Sequence, residues 1–355
     1  MTVDGVPGIA DAPRLARWLS ASGVASGELG AIELIAGGRS NLTYRLESGG
    51  SRLVLRRPPL GHVLPTAHDM AREFRVLTAL HGTDIPVPTP LAICADADVI
   101  GAPFYVMEYV DGLVLRTRED GEQLTPDQGR QLSERLAGML AAIHGVDIDA
   151  TGLAGFGRPE GYLARQLARW QRQWELSATR EMPGYDRLVE RLTAGLPDGG
   201  DHALVHGDFR LDNMLVTLGP EPAIEAVVDW EMSTLGDPLA DLGLTLIYWA
   251  DPGDAEWLDI NVGAAVTARP GFLSRAGLAR RYAELTGRDL SGIGYYMAFG
   301  CFKLAVVLEG IHARYLQRKT VGEGFEREGQ VVPLLIDRAH QMLDSDPLAG
   351  PSAAG

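Results

Sequence analysis

His206-Gly-Asp-Phe-Arg-Leu-Asp-Asn213, followed by Val227-Val-Asp-Trp230 so that Asp229 stands sixteen residues beyond Asn213, is the stretch on which the reading of this chain turns. Moving a phosphoryl group onto a hydroxyl needs one carboxylate near the acceptor proton, and hard oxygen ligands that hold Mg2+ against the phosphates. Asp208 reads as the base, and Asn213 and Asp229 read as the ligands. The runs before them, Ala203-Leu-Val-His206 and Ile224-Glu-Ala-Val-Val-Asp229, are short, apolar and strand-like, and each ends at a polar residue. Met214-Leu-Val216 leads the chain away from the base, and the Gly219-Pro-Glu-Pro222 turn brings it back. Such a loop and hairpin presents both carboxylates to one cleft. An isolated Asp-x-x-x-x-Asn commonly marks only a turn, so the weight rests on the whole string with its spacing.

That string, with a hydrophobic strand and Asp229-Trp-Glu231 after it, resembles the aminoglycoside phosphotransferase family, whose fold is similar to that of protein kinases. Through Gly38-Arg-Ser-Asn-Leu-Thr-Tyr44, Val54-Leu-Arg-Arg-Pro-Pro59 and Gly236-Asp-Pro-Leu-Ala-Asp-Leu-Gly243 it resembles most the branch also found fused to acyl-CoA dehydrogenases. The resemblance implies an α+β, bilobal, protein-kinase-like fold with a small antiparallel-sheet N-lobe and a larger, mainly helical C-lobe. It implies ATP and Mg2+ as cofactors, and transfer of the γ-phosphoryl to a hydroxyl of a small molecule. The branch suggests an acyl-CoA-like or lipid-like acceptor, while the family name keeps an aminoglycoside in view. A catalytically silent nucleotide-binding protein would lack a base or a metal ligand, and none is missing. A protein kinase is disfavoured, because no Asp-Phe-Gly, Ala-Pro-Glu or activation segment follows Asp229.

Bulk properties agree with a large soluble fold. The 355 residues are 46% hydrophobic and 22% charged, enough to bury a sizeable core. A formal charge of −15 argues against a nucleic-acid partner, since phosphate backbones are bound by basic patches. Cys94 and Cys301 sit among apolar neighbours and make no disulfide framework, and Met1-Thr-Val-Asp-Gly-Val-Pro7 lacks the basic and apolar segments of a signal peptide. The expected compartment is therefore the cytoplasm. The most apolar window, Gly292–Ile311, carries Lys303 and Glu309 and reads as a buried helix, not a membrane span.

Periodicity divides the chain into lobes. A short helix over 11–20 precedes strands at Ala31–Ala36, Leu42–Glu47 and Arg52–Arg56, joined by glycine turns. A helix over Ala67–Leu80 and strands near Leu91–Cys94 and Pro103–Val110 complete a nucleotide-binding lobe over residues 1–107. After a hinge at 108–112 the pattern becomes helical, with Thr125-Pro126 as N-cap and N1 of the first long helix. Helices are also expected at Gly161–Leu176, Tyr185–Ala194, Pro238–Tyr248, Ser274–Thr286, Tyr295–Arg314 and Val331–Leu343. They make a catalytic and acceptor-binding lobe over 113–345, and 346–355 reads as a disordered tail.

On the nucleotide side, Gly37-Gly38-Arg39-Ser40-Asn41 joins two strands; it is either a plain turn or a phosphate clamp in which Ser40 and Asn41 offer donors. Leu53-Val-Leu-Arg56 falls where kinases carry a strand lysine, and alternation puts Arg56 and Val54 on one face. A guanidinium can bridge phosphate and carboxylate, so Arg56 is a candidate catalytic and phosphate-binding residue, with Glu73 as its partner unless Glu73 is only a solvated helix charge. The connector Val106-Met-Glu-Tyr-Val-Asp-Gly112 is similar to a kinase hinge, where backbone groups around Glu108 and Val110 would bind adenine. Asp237 reads as a helix cap, and Glu231 as a further site candidate; Asp241 resembles the family's helix aspartate that braces the catalytic loop, and His206 its structural histidine. Arg210 would neutralise the transferring phosphoryl, bind an acidic acceptor, or merely lie at the surface. Trp170, Trp174, Trp249 and Trp257 either line an acceptor cavity or fill the core.

Overall fold

A computed structural model describes residues 6–35, 41–60, 69–254, 264–318, 327–345 and 347–348. Five antiparallel strands form the first sheet: β1 (Leu29–Leu34), β2 (Leu42–Ser48), β3 (Ser51–Arg57), β4 (Pro90–Cys94) and β5 (Phe104–Glu108), in the order β1-β2-β3-β5-β4. Gly49 and Gly50 turn β2 into β3 with φ of 58° and 83°, the left-handed pair that a tight hairpin requires. A Cβ on Gly49 would lie 1.9 Å from the Ser26 carbonyl oxygen, so no side chain fits there.

The sheet is covered on both faces, which is why β3 and β5 read as continuous apolar runs. Leu53, Leu55, Phe104 and Val106 pack towards α1 (Ala12–Ala21) through Leu15 and Leu19. Val54, Tyr105 and Met107 face the other way, onto Met70, Val76, Leu77 and Leu80 of α2 (Met70–Leu80). Asp69 caps α2 by accepting the Arg72 N–H at 3.1 Å, so the helix starts three residues later than Ala67. Ala67 and the turn residues 36–40, Ser40 among them, lie outside the described residues.

Beyond β5 the chain is mainly helical: α3 (Arg118–Glu122), α4 (Pro126–His144), α5 (Tyr162–Ser177), α6 (Tyr185–Ala194), α7 (Pro238–Tyr248), α8 (Ala264–Thr267), α9 (Arg275–Thr286), α10 (Ile293–Leu316) and α11 (Glu328–Asp344). Thr125 and Gln128 form a reciprocal capping box at the start of α4, with Pro126 at N1. Two small ladders interrupt the helices, β6 (Ala203–Val205) with β9 (Thr234–Gly236) and β7 (Met214–Thr217) with β8 (Ala223–Val227). The short elements α3, α8 and β9 were not expected; at three to five residues they carry too little periodicity to read. By length and composition α10 could cross a membrane, but it is the central helix of this lobe, packed on α5, α7 and α11. The architecture is the expected α+β one. Of the expected tail, 346 and 349–355 lie outside the described residues, as does Trp257.

Candidate active site

The loop between β6 and β7 is built from the backbone outward. Gly207 adopts φ 83°, and a Cβ there would sit 2.6 Å from the Met232 carbonyl oxygen, so only glycine allows this approach. Asp241, buried in the first turn of α7, accepts the His206 N–H at 2.6 Å on one oxygen and the Gly207 N–H at 2.8 Å on the other. Burial would raise its carboxyl, but the hydrogen bond from His144 and these amides hold it below the usual range. His206 is wholly buried: its Nε2 donates to the Val228 carbonyl at 3.0 Å, and its Nδ1 accepts the Asp208 N–H at 3.3 Å. Trp230 packs on the His206 ring at 4.6 Å and donates its indole N–H to the Val227 carbonyl at 3.0 Å. His206 and Asp241 thus brace the loop. Asp237 accepts the Leu239 N–H at 2.9 Å as a helix cap and the Tyr296 hydroxyl at 2.8 Å.

This frame brings Asp208, Asn213 and Asp229 together. The Asn213 side-chain amide donates to the Asp208 carbonyl at 2.9 Å and to Asp208 Oδ2 at 3.1 Å, which directs the Asn213 Oδ1 elsewhere. The Val228 N–H donates to the Asn213 carbonyl at 3.0 Å, placing the next residue, Asp229, beside the loop. Asp229 takes the left-handed conformation at φ 68°, a strained backbone for a residue other than glycine, costing about 1–2 kcal/mol. Burial pushes the Asp208 carboxyl above its ordinary range, while Arg210 and Lys303 pull it down.

From the sheet, Arg56 reaches across. Its Nε donates to Glu73 Oε2 at 3.0 Å, and its Nη2 pairs with Asp229 Oδ1. Glu73 is buried, not a solvated helix charge, and burial raises its carboxyl against the pull of the guanidinium. One arginine therefore ties the sheet, α2 and the turn that follows β8. A lysine would have to meet both carboxylates from one nitrogen, whereas the guanidinium uses two.

Other expected residues are placed differently. Asn41 is buried and donates to Glu231 Oε2 at 2.8 Å, so here its amide serves the large lobe. The Glu108 N–H donates to the Thr89 carbonyl at 2.9 Å and is used up within the sheet, while Val110 lies just past β5. Arg210 is neither free nor at the surface: it pairs with the buried Asp212 and lies over the Tyr248 ring at 4.4 Å. Trp174 stacks on Tyr185 at 4.3 Å and Trp249 meets Phe272 at 5.8 Å; both are core residues.

Beside Gly207 opens a cavity of about 200 Å3, walled by α5, α7, α10, the start of α2 and residues 231–234. Trp170 is the tryptophan that lines it. Lys303 of α10 also faces it and donates to the Gly207 carbonyl at 2.5 Å. The sequence carries a signal for it: a lysine in a largely apolar helix is costly to bury unless it has a task. Among the described residues no cluster of three or more His, Cys, Asp or Glu could hold a metal ion alone.

The chain is similar to known proteins over most of its length. Residues 31–278 match the family described as the phosphotransferase enzyme family, a span that contains Arg56, Glu73, Asp208, Asn213 and Asp229. Acyl-CoA dehydrogenase family member 11 of Rattus norvegicus is 37% identical over 301 residues, 84% of this chain and 38% of that protein. The chain spans 28–40% of the length of the acyl-CoA dehydrogenase relatives it matches. The crystal structure of a putative aminoglycoside phosphotransferase from Ralstonia eutropha JMP134 superposes with a TM-score of 0.78 at 32% identity, covering 94% of this chain and 98% of its own. A thermostable mutant of aminoglycoside phosphotransferase APH(4)-Ia, in ternary complex with AMP-PNP and hygromycin B, shares the fold at 15% identity and a TM-score of 0.58, covering 89% of this chain and 94% of its own. With residues 31–278 matched, this chain belongs to the phosphotransferase enzyme family.

Proposed function

We propose that this protein transfers the γ-phosphoryl of ATP to a hydroxyl of a small molecule with the help of Mg2+. The observation that carries the reading is the convergence of Asp208, Asn213 and Asp229 at one edge of the cleft, opposite the Arg56–Glu73 pair. Asp208, charged, would accept the proton of the acceptor hydroxyl and orient its oxygen. Asn213 Oδ1 and the Asp229 carboxylate are hard oxygens suited to hold Mg2+, which would neutralise phosphate charge when bound. Arg56 would grip the nucleotide phosphates while Glu73 holds its guanidinium in place. Backbone groups of the connector at Glu108 and Val110 would meet the adenine, with the Glu108 carbonyl as acceptor since its N–H is taken. Residues 1–107 would then act as the nucleotide lobe and 113–345 as the lobe for catalysis and acceptor. Supply of ATP makes the cytoplasm the proposed compartment.

The acceptor is proposed to be a small alcohol of the hydroxyacyl or lipid-like kind in preference to an aminoglycoside. An aminoglycoside, a polycation, would need several uncommitted carboxylates at the cavity. The acids that line it, Asp69, Glu231 and Asp241, each already accept hydrogen bonds from the protein. ATP consumption against aminoglycosides, hydroxyacyl-CoAs, choline-like alcohols and sugars tests both parts. Turnover with a hydroxyacyl compound that disappears in Asp229→Ala supports the reading; Mg-independent turnover, or an aminoglycoside as best acceptor, overturns the corresponding part.

A further inference from the structure

The cavity beside Gly207 has an unequal balance of engaged and available charge. Its acids are engaged: Asp69 caps α2, Asp241 holds the catalytic loop, and Glu231 accepts from Asn41. Its cations donate their hydrogen bonds to neutral groups, with Asp69 near Arg72 and Asp208 and Asp241 near Lys303. Arg72 donates to the Ser233 carbonyl at 3.0 Å and lies over the Phe156 ring at 3.9 Å, and Lys303 donates to the Gly207 carbonyl at 2.5 Å. Arg169, exposed at the mouth, has the Trp170 ring at 5.4 Å as its contact among the described residues. The Lys303 ammonium lies 5.7 Å from the centre of the same ring. Two cations thus converge on one aromatic wall, next to the loop that carries Asp208.

Like charges gathered in a half-buried site repel one another and cost desolvation. Burial and Arg169 both depress the Lys303 ammonium, while Asp208 and Asp241 support it. An anion seated between Lys303 and Arg169 would offset the repulsion between them. We infer that Arg169 and Lys303, on the Trp170 wall, form an anion subsite, so that the acceptor carries a carboxylate or phosphate as well as the hydroxyl it presents to Asp208. The inference rests on the phosphotransfer reading for the hydroxyl but on the cavity alone for the anion. A cavity of about 200 Å3 is below the usual range for drug-sized ligands, and suits the anionic end of a short chain rather than a set of sugar rings. Lys303 both positions Gly207 and faces the anion; Arg169 does only the latter, which makes it the cleaner residue to change.

Binding and turnover separate the two readings. An ω-hydroxyalkanoate, its CoA thioester, and the neutral diol and ω-aminoalkanol of the same chain length are titrated into protein loaded with Mg2+ and a non-hydrolysable ATP analogue, by calorimetry. The anion subsite predicts that the hydroxyalkanoate or its thioester binds about tenfold or more tighter than the diol, that the aminoalkanol binds worst, and that Arg169→Gln erases the preference without weakening diol binding. The free acid and the thioester tell a carboxylate from a CoA phosphate as the recognised group. With ATP in place of the analogue, Arg169→Gln raises KM for the anionic acceptor and keeps kcat. Binding with charge preference but no phosphorylated product leaves the subsite and removes the kinase. No preference for the anionic alcohol, or equal losses for all alcohols in Arg169→Gln, overturns the subsite whatever the turnover.

Discussion

The two walls of the cleft are held in opposite ways. The catalytic loop is secured redundantly: two amide donors to Asp241, both nitrogens of His206, the Trp230 ring and a glycine that alone fits beneath Met232. The clamp depends on one guanidinium, since Arg56 is the group that meets both Glu73 and Asp229. A redundant frame can lose one contact and keep its shape, whereas a single bridge fails at once.

Breaking the bridge should therefore have the largest effect on stability. Arg56→Ala leaves Glu73 buried without its counter-charge and is expected to cost about 3–5 kcal/mol in urea unfolding. Arg56→Lys should recover part of that loss, because it restores the charge but not both contacts. A full recovery would remove the bridge from the account. Asp241→Asn is expected to cost less, about 1–3 kcal/mol, because one of the two loop amides loses a carboxylate oxygen and the remaining braces persist. A loss as large as that of Arg56→Ala would show the loop to be as fragile as the clamp. At Asp229 the comparison narrows to the backbone: Asp229→Gly should be more stable than Asp229→Ala by about 1 kcal/mol, since glycine takes φ 68° without strain, while both lose Mg-dependent nucleotide binding alike.

The smallest effect is that of pH on the brace. Burial depresses the His144 imidazole below its ordinary 6.5, so the folded protein takes up this proton less readily than the unfolded chain. Stability is then expected to decline as pH falls below 6.5 through the lower folded value, before the carboxylates titrate. His144 touches the Tyr282 hydroxyl at 2.7 Å and Asp241 at 3.3 Å, so His144→Gln should flatten that part of the stability curve. An unchanged slope in His144→Gln would assign it to another group.

What the sequence disclosed follows the same division. The loop was legible because its residues stand in one short string, with Asp241 behind a cap and a proline that mark a helix start. The sheet and its helix were legible through period-2 and helical patterns, including the face shared by Val54 and Arg56. Contacts between distant segments were not. Nothing local indicates that the Arg56 guanidinium continues from Glu73 to Asp229 or that Asn41 meets Glu231. Lys303 is the instructive miss: its cost was visible in the apolar run, but its place beside Gly207 depends on how α10 crosses the lobe.

The central claim is that Asp208 is the base of a phosphoryl transfer. Its most direct test is the turnover number of Asp208→Asn with the best acceptor found, measured beside ATP affinity in the same preparation. The account predicts that turnover falls by about 10²–10⁴-fold while ATP affinity stays within about twofold. Turnover equal to that of the unmodified protein would contradict it.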